Sequence, residues 1–436
     1  MWCRLTSVSA NAIRELTDLA IEMFDAQPSI ELASMNQFGP GFGDPVLDGA
    51  LAPTGLFLEL YRGSALARAV EAVNADPAME PLAQREGELD PLLSSAAGGA
   101  RQDLQGLIVG IVITAIRAMY FESAEQSPAV LVQRVIENYE ALKRIARGEP
   151  IQIRIVHGLA GVILPPGVEI ATPWGVVKPA PVSSSNQRFY AFGGFRPATT
   201  AVLLRSHTGI VRVSRDESPE ILGPELEVFE TEQRIRELLP LAFALAIEGD
   251  RRCALIVTFT TALPPFSSGF GTSSSGILGS PWQQATIQEN DVPAIEEWAR
   301  RLNTRHVENL QVTARRIVSA IAVRTDRSDA LVDAVMAWES LVGTNSETVF
   351  RVTAALSKLL EANPAARREL RKSLGETYNL RSRVVHGDTV DQAKVAEAAD
   401  KATDIALAAT RALYGRRPEW LTYSSTERAD RLVLEE

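Results

Sequence analysis

The residues best suited to chemistry lie in one short segment near the C-terminus, which reads Tyr-Asn-Leu-Arg-Ser-Arg-Val-Val-His-Gly over positions 378–387. It places Arg381 five positions before His386, which is one of four histidines in the chain. An imidazole has an ordinary pKa of about 6.5 and can both accept and donate protons at neutral pH. A guanidinium stays cationic and binds phosphate through its planar fork of N–H donors. This pair therefore has the groups needed to hold a phosphodiester and move a proton without a metal ion.

The spacing of the pair is awkward for a regular helix. Residues five apart on a helix point about 140° away from each other, so Arg381 and His386 do not share a face. They converge only if the last helical turn unwinds, or if a second copy of the segment supplies the missing partner. Gly387 predicts this unwinding, because glycine just past a helix end adopts the left-handed cap conformation. A histidine at a helix end is also often only a cap, and that alternative stays open.

Residues around the pair are candidates for supporting roles. Tyr378 lies one turn before Arg381 on the same helical face. Ser382 follows the arginine and offers a hydroxyl for hydrogen bonding. Glu339, in the middle of an apolar stripe, needs a cationic partner, for which Arg351 and the motif arginines are the candidates. Either a structural ion pair or the orientation of Arg381 explains it.

Basic residues on and beside the same helix are candidate RNA contacts. They are Arg371 and Lys372, which belong to a run of basic side chains that starts at Arg367, and Arg383 next to the motif. The alternative for such a run is an ordinary solvated surface.

The C-terminal region resembles the Apea-like branch of the HEPN family, helical-bundle proteins of prokaryotic toxin and antiviral-defence systems. Three stretches carry the resemblance: 329–341, 347–356 and 378–387. It implies a metal-independent endoribonuclease that uses an Arg-x4–6-His motif and pairs two bundles face to face as a homodimer. Arg381 would then bind the scissile phosphate, and His386 would move protons to or from the ribose 2′-hydroxyl, giving a 2′,3′-cyclic phosphate.

One residue departs from the family pattern. Many nucleases of the family have Asn, Asp or His directly after the arginine, whereas this chain has Ser382. The serine side chain is shorter than these, and its hydroxyl contributes little to proton transfer. Because inactive members of the family exist, a non-catalytic bundle for dimerisation or for binding of a ligand or RNA remains the alternative.

Composition limits the other function classes. The chain of 436 residues has a net charge of −10, which argues against broad coating of nucleic acid. Residues 309–411 hold 15 Lys+Arg and 13 Asp+Glu, whereas the rest holds 29 and 41, so only the C-terminal section suits a polyanion. Two cysteines and scattered histidines provide no metal-ligand pattern, so we expect no metal and no cofactor. A cytoplasmic protein without membrane attachment is expected.

Hydrophobic periodicity predicts an α+β multidomain chain. Residues 1–149 are mostly helical, and 150–290 form a small β-rich domain that is a possible sensor. Residues 291–420 form an all-α, HEPN-like bundle, and 421–436 form a polar tail. Within the first region, Ser9 is a candidate helix cap, and the apolar run over 104–116 is a buried helix because it is too short to span a membrane.

The resemblance, taken with these patterns, implies a cytoplasmic, homodimeric endoribonuclease with RNA as its substrate. Its N-terminal domains would sense a phage- or cell-derived trigger or restrain the nuclease, because an unrestrained toxin-like enzyme would harm its own cell.

Overall fold

The computed structural model describes residues 7–25, 64–80, 93–94, 101–102, 104–122, 127–180, 200–211, 221–222, 225–247, 253–263, 265, 272–274, 284–305, 308–343 and 348–435. Two sequence patterns lie outside these residues. They are residues 36–45, whose glycines and prolines predict a turn-rich loop, and residues 344–347, which have the pattern of a capping box.

Most of the described residues are helical, and a small antiparallel sheet accompanies a C-terminal helical region, as the α+β prediction requires. The helices are α1 (Ser7–Asp25), α2 (Ser64–Asn74), α3 (Leu104–Glu122), α4 (Pro128–Ala146), α5 (Glu225–Ala246), α6 (Val292–Arg305), α7 (Gln311–Val318), α8 (Arg327–Val342), α9 (Thr348–Leu360), α10 (Pro364–Val385), α11 (Gln392–Arg416) and α12 (Ser425–Asp430). The strands are β1 (Leu93–Ser94), β2 (Arg101–Gln102), β3 (Ile151–Ala160), β4 (Val162–Ile163), β5 (Ile170–Thr172), β6 (Gly175–Pro179), β7 (Ala201–Val211), β8 (Ile221–Leu222), β9 (Ile256–Leu263), β10 (Thr272–Ser274) and β11 (Ala285–Thr286).

The chain divides into two compact units, and both are discontinuous in sequence. The first consists of Met1–Ala160, Gly175–Glu230 and Val257–Gly276. The second consists of Gly161–Trp174, Thr231–Ile256 and Ile277–Glu436.

Four helices of the first unit share an apolar core. Leu16 of α1, Leu66 of α2, Ile108 of α3 and Leu142 of α4 are buried together, and Ile151 extends the core to the sheet. The apolar run over 104–116 is therefore a buried helix, as predicted. None of the described helices combines the length and apolarity needed to cross a lipid bilayer.

Ser9 does not cap the first helix, because α1 already begins at Ser7. Its hydroxyl instead donates to Asp76 Oδ2 at 2.7 Å, inside the unit. The Tyr139 hydroxyl donates to the same oxygen at 2.8 Å, and Lys143 Nζ lies 3.9 Å away. The second oxygen of Asp76 accepts from the backbone N–H of Ala78 at 3.0 Å. This buried carboxylate links α1, α4 and the turn after α2.

Asp76 makes the stability of the first unit depend on pH. Burial alone raises its pKa, but hydrogen bonds from Ser9, Ala78 and Tyr139 outweigh burial and the net pKa is lowered. Its stabilisation is therefore present above the unfolded pKa of about 3.9 and is lost as the pH falls through the lower folded pKa. We expect Asp76→Asn to destabilise α1 and α4 by about 2 kcal/mol at pH 7 and by less at pH 3, which lies below the unfolded pKa. Hydrogen exchange of these helices at the two pH values measures both effects.

The control for this prediction is Asp18→Asn, which changes an exposed carboxylate on α1. An Asp18→Asn protein should exchange like the wild type at both pH values. Equal protection of α1 and α4 in wild type and Asp76→Asn at pH 7 would contradict the prediction.

The sheet of the first unit has the order β10-β9-β3-β7-β6, with β8 paired to β7. Its centre is the antiparallel pair β3–β7, in register from Ile151 opposite Gly209 to Leu159 opposite Ala201. The alternation of Ile151, Gln152 and Ile153 predicted the first of these strands, and both isoleucines are buried. The runs over 200–204 and 210–213, which indicate two strands by pattern, contribute instead to the single strand β7.

The second unit contains the predicted C-terminal bundle. Helix α8 packs along α11, and Trp338 of α8 donates its indole N–H to the carbonyl of Ala402 at 2.9 Å. Helices α9 and α10 form an adjacent hairpin that also contacts α8. Arg411 of α11 donates to the carbonyls of Leu245 and Ala244, the last of α5, and so satisfies groups that a helix end leaves unpaired.

A buried carboxylate joins the start of this bundle. Asp333 of α8 is 2% exposed and accepts from Arg316 at 2.5 Å, from Ser319 at 2.6 Å and from Arg324 at 2.6 Å. Burial raises the pKa of Asp333, but these three donors lower it overall. The π-helical turn Ser319–Val323 is thereby fastened to α8.

Residues 421–436, expected to be a polar tail, are folded as far as the structure describes them. They contain α12 and the π-helical turn Arg431–Glu435, and Ala429 and Leu432 are buried. Arg428 is fully buried and donates to the carbonyls of Leu341 at 2.6 Å and Ser340 at 3.2 Å. The many charged residues of this segment predict a solvated tail. The structure instead buries Arg428, because backbone carbonyls rather than carboxylates accept its hydrogen bonds.

Candidate active site

The candidate residues lie on and around α10. This helix begins as its sequence predicts: the side chain of Asn363 accepts from the N–H groups of Ala365 and Ala366, and Pro364 occupies the first turn. Its inner face carries Leu374 and Tyr378, which are buried in the bundle. The opposite face is solvated.

The end of α10 is a regular glycine cap. His386 is the last residue with helical backbone angles, and its N–H donates to the Ser382 carbonyl at 3.0 Å. Gly387 has φ +80°, and its N–H donates to Val384 at 3.1 Å, while Asp388 donates to Arg383 at 3.0 Å. These two bonds form a Schellman motif. Gly387 caps the helix as predicted, but the predicted unwinding is wrong, because the Schellman motif closes a last turn that stays helical.

His386 is exposed at this end, so its imidazole is accessible to a ligand. Because α10 stays helical through Val385, Arg381 points about 140° away from His386. Of the two routes by which the pair could meet, unwinding is excluded within the described helix. Only a second copy of the motif can complete such a site.

Arg381 is half-buried, and its surroundings leave part of it without a partner. Its guanidinium carbon lies 5.9 Å from the centre of the Tyr378 ring, a cation–π distance. Its Nε atom is buried and has no hydrogen-bond acceptor among the described residues. A buried charged N–H without an acceptor costs about 1–3 kcal/mol or more, so this atom would gain from an anionic oxygen.

Glu339 and Tyr378 form the support beneath Arg381. The Tyr378 hydroxyl donates to Glu339 Oε1 in a short hydrogen bond. Burial raises the pKa of Tyr378 well above its ordinary value, and the Glu339 carboxylate raises it further, so the phenol remains a donor. The predicted partner Arg351 is engaged elsewhere, since its guanidinium binds Asp430 at 2.5 Å. Glu339 therefore contacts Tyr378, and Tyr378 in turn lies beside Arg381.

The two remaining residues of the last turns differ in their surroundings. Ser382 is half-buried directly after Arg381. Arg383 is exposed and donates to Asp388 Oδ2 at 3.2 Å and to the Thr389 carbonyl at 3.4 Å. Its charge is thus partly neutralised by the loop that follows the helix, which weakens it as a contact for RNA.

The two basic candidates nearer the start of α10, Arg371 and Lys372, have fewer polar contacts than Arg383 among the described residues. Lys372 is exposed, and it forms no ion pair within the described chain. The guanidinium of Arg371 lies 4.3 Å from the centre of the Phe350 ring. The sequence did not identify Phe350 as a candidate, because it lies next to the apolar stripe of α9 and resembles a core residue. Only the structure shows that its side chain is 50% exposed.

Metal-ligand side chains do not cluster in the part of the chain that the structure describes: no group of three His, Cys, Asp or Glu residues there is arranged to hold a metal ion.

Comparison of the chain with family models, curated proteins and solved structures finds no match. The resemblance to HEPN proteins therefore rests on the quoted residues, and function has to be argued from the site.

Proposed function

We propose that this chain is a metal-independent endoribonuclease of HEPN type, with Arg381 as the phosphate ligand and His386 as the group that moves protons. The observation that carries the proposal is the half-buried Arg381, whose Nε has no acceptor among the described residues, on a helix whose end exposes His386. The accessible N–H groups of a guanidinium that lies beside Tyr378 are suited to an anionic oxygen. An exposed imidazole is suited to proton transfer.

In the proposed reaction, His386 accepts the proton of a ribose 2′-hydroxyl. The 2′-oxygen attacks the adjacent phosphorus, and the bond from phosphorus to the 5′-oxygen breaks. An imidazolium returns the proton to that leaving oxygen, so the products are a 2′,3′-cyclic phosphate and a 5′-hydroxyl. Arg381 stabilises the negative charge that develops on the non-bridging phosphate oxygens.

A homodimer belongs to the proposal, because one chain directs Arg381 and His386 to different sides of α10. Two bundles related by a two-fold axis would let the arginine of one copy and the histidine of the other act on one phosphodiester. The first unit would sense a phage- or cell-derived trigger and restrain the nuclease in the cytoplasm. The uneven charge supports this division, since the acidic excess lies outside residues 309–411.

The direct test is cleavage of RNA by purified full-length protein in the presence of excess chelator. We expect fragments that end in 2′,3′-cyclic phosphate, which mass spectrometry distinguishes from linear 3′-phosphates and 3′-hydroxyls. Fragments that end in 3′-hydroxyls, or cleavage that the chelator abolishes, would contradict the mechanism.

The second candidate is a non-catalytic bundle for dimerisation or for binding of RNA or another ligand. It is favoured by the separation of Arg381 and His386 within one chain and by Ser382 at the position after the arginine. RNA binding that depends on Arg381 but is accompanied by no cleavage, with or without a trigger, would select this reading over the enzyme.

A further inference from the structure

Phe350, on the first turn of α9, is an aromatic side chain exposed to solvent beside a charged group. Its side chain is 50% exposed, although large aromatic residues of a helical bundle usually contribute to the core. The guanidinium of Arg371 lies 4.3 Å from its ring centre. One face of the ring is therefore covered by a cation, and the remainder is open to solvent.

This arrangement leaves both partners able to bind. A guanidinium that stacks through its face keeps its in-plane N–H donors directed outward, where they fit phosphate oxygens. In the described residues Arg371 has no carboxylate partner, and neither has the neighbouring Lys372. The open part of the Phe350 ring can stack a nucleobase, since every base has a π-face. One pair thus offers contacts to both the base and the phosphate of a nucleotide.

The charge around Phe350 and Arg371 favours a polyanion, rather than another protein, as the ligand of this surface. Residues 367–372 contain four Lys+Arg and a single Glu. Arg367 already donates to the carbonyl of Glu361, just after α9, and Arg368 donates to the carbonyl of Pro364 in the first turn of α10, which leaves the charges at 371 and 372 for a ligand. Centres of protein–protein interfaces are depleted of charged residues, and lysine in particular is rare there.

Arg371 lies on the same helix as the proposed active site. It precedes Arg381 by ten positions, which places the two side chains about 80° apart around α10. The ten residues from Arg371 to Arg381 correspond to about 15 Å along the helix. At a stacked spacing of about 3.4 Å per nucleotide, this distance equals about four nucleotides.

We propose that Phe350 and Arg371 form a stacking subsite for an unpaired nucleobase, so that single-stranded RNA lies along α10 toward Arg381. This inference rests on the proposed function for the identity of its ligand as RNA. A duplex does not satisfy the site, because its bases are already stacked on each other. The subsite selects single-stranded segments and fixes which phosphodiester reaches Arg381.

Binding is measured with full-length protein that carries His386→Ala, so that no substrate is consumed. The probe is a fluorescein-labelled single-stranded RNA of about 12 nucleotides, and the readout is fluorescence anisotropy. We expect Phe350→Ala to weaken binding about tenfold and Phe350→Trp to preserve it, because tryptophan retains a stacking surface. The matched control is Val349→Ala, which removes an adjacent apolar side chain that is 40% exposed.

Two outcomes overturn the inference. The first is unchanged single-stranded RNA binding in Phe350→Ala, or an equal loss in Val349→Ala. The second is a change of molecular mass by light scattering in Phe350→Ala without RNA, which would identify the ring as a contact between two copies. If Phe350→Ala loses as much affinity for a duplex of the same length as for the single strand, the subsite does not select single-stranded RNA.

Failure here can be separated from failure of the proposed function. Cleavage by otherwise wild-type protein is scored in parallel, and the two readouts are independent. A protein that binds single-stranded RNA through Phe350 but cleaves none supports the subsite and contradicts the nuclease. A protein that cleaves RNA equally well with Phe350→Ala supports the nuclease and overturns the subsite.

Discussion

Replacing either His386 or Arg381 by alanine is expected to lower the rate of RNA cleavage at least about 100-fold. His386→Ala removes the proton-transfer group, and positioned acid–base catalysis contributes about 10²–10⁴ to a rate. Arg381→Ala removes the donor fork that would hold the phosphate and stabilise its charge. Both variants should fold normally, because His386 is exposed and its helix cap depends on the backbone of Gly387. Single-turnover cleavage and circular dichroism measure the two properties.

Two further variants sharpen this result. Arg381→Lys keeps the charge but loses the planar fork, so we expect it to stay at least about tenfold below wild type. Arg416→Ala removes an exposed arginine from the end of α11 and should leave cleavage unchanged. If His386→Ala and Arg381→Ala both cleave within threefold of wild type, the pair has no catalytic role, and the proposed mechanism is wrong.

A large loss of stability is expected from Arg428→Met. The methionine keeps much of the volume, but the carbonyls of Leu341, Ser340 and Tyr423 lose their donor in the interior. Burial lowers the pKa of Arg428 to about 10, so the side chain is charged at neutral pH, and each of its bonds is charge-assisted. Each carbonyl left without a donor costs about 1–3 kcal/mol, and partial rescue by water reduces the total to about 3–4 kcal/mol. Denaturant unfolding at pH 7 measures this difference.

The matched control is Arg416→Met, which makes the same chemical change at an exposed position. It should alter the free energy of unfolding by no more than about 0.5 kcal/mol. A loss below about 1 kcal/mol in Arg428→Met would mean that water replaces the guanidinium without cost, and the bonds would then not fasten the C-terminal segment to α8.

Local patterns in the sequence were sufficient to predict most elements of the bundle. The stripe of α8, including Leu331 and Trp338, is buried as its helical period indicates. Asn363 caps α10, and Gly387 closes it, because both signals depend on backbone geometry within a few residues. Predictions that needed distant contacts were less reliable. Val349 continues the apolar stripe of α9, but its side chain is 40% exposed because none of the described elements covers it fully.

Other features were decided only by tertiary structure. Ser9 has the residue type of a helix cap, but it binds Asp76, which is 67 positions away. The two units are assembled from segments that are far apart in the chain, and no local signal specifies which segments pack together. Arg428 has the composition of a surface residue and becomes a buried donor only because two helix ends meet around it.

The motif itself shows the same division. The sequence by itself determined which groups are present, that they lie on one helix, and where that helix ends, because these properties depend on residue type and short-range geometry. Only the tertiary structure decided that the helix stays regular, that Glu339 accepts from Tyr378 beside Arg381, and that Nε of Arg381 is buried without an acceptor in the described part of the chain. Burial and hydrogen-bond satisfaction depend on what the rest of the chain brings to a side chain, and residues brought together across the fold leave no periodic trace in the sequence.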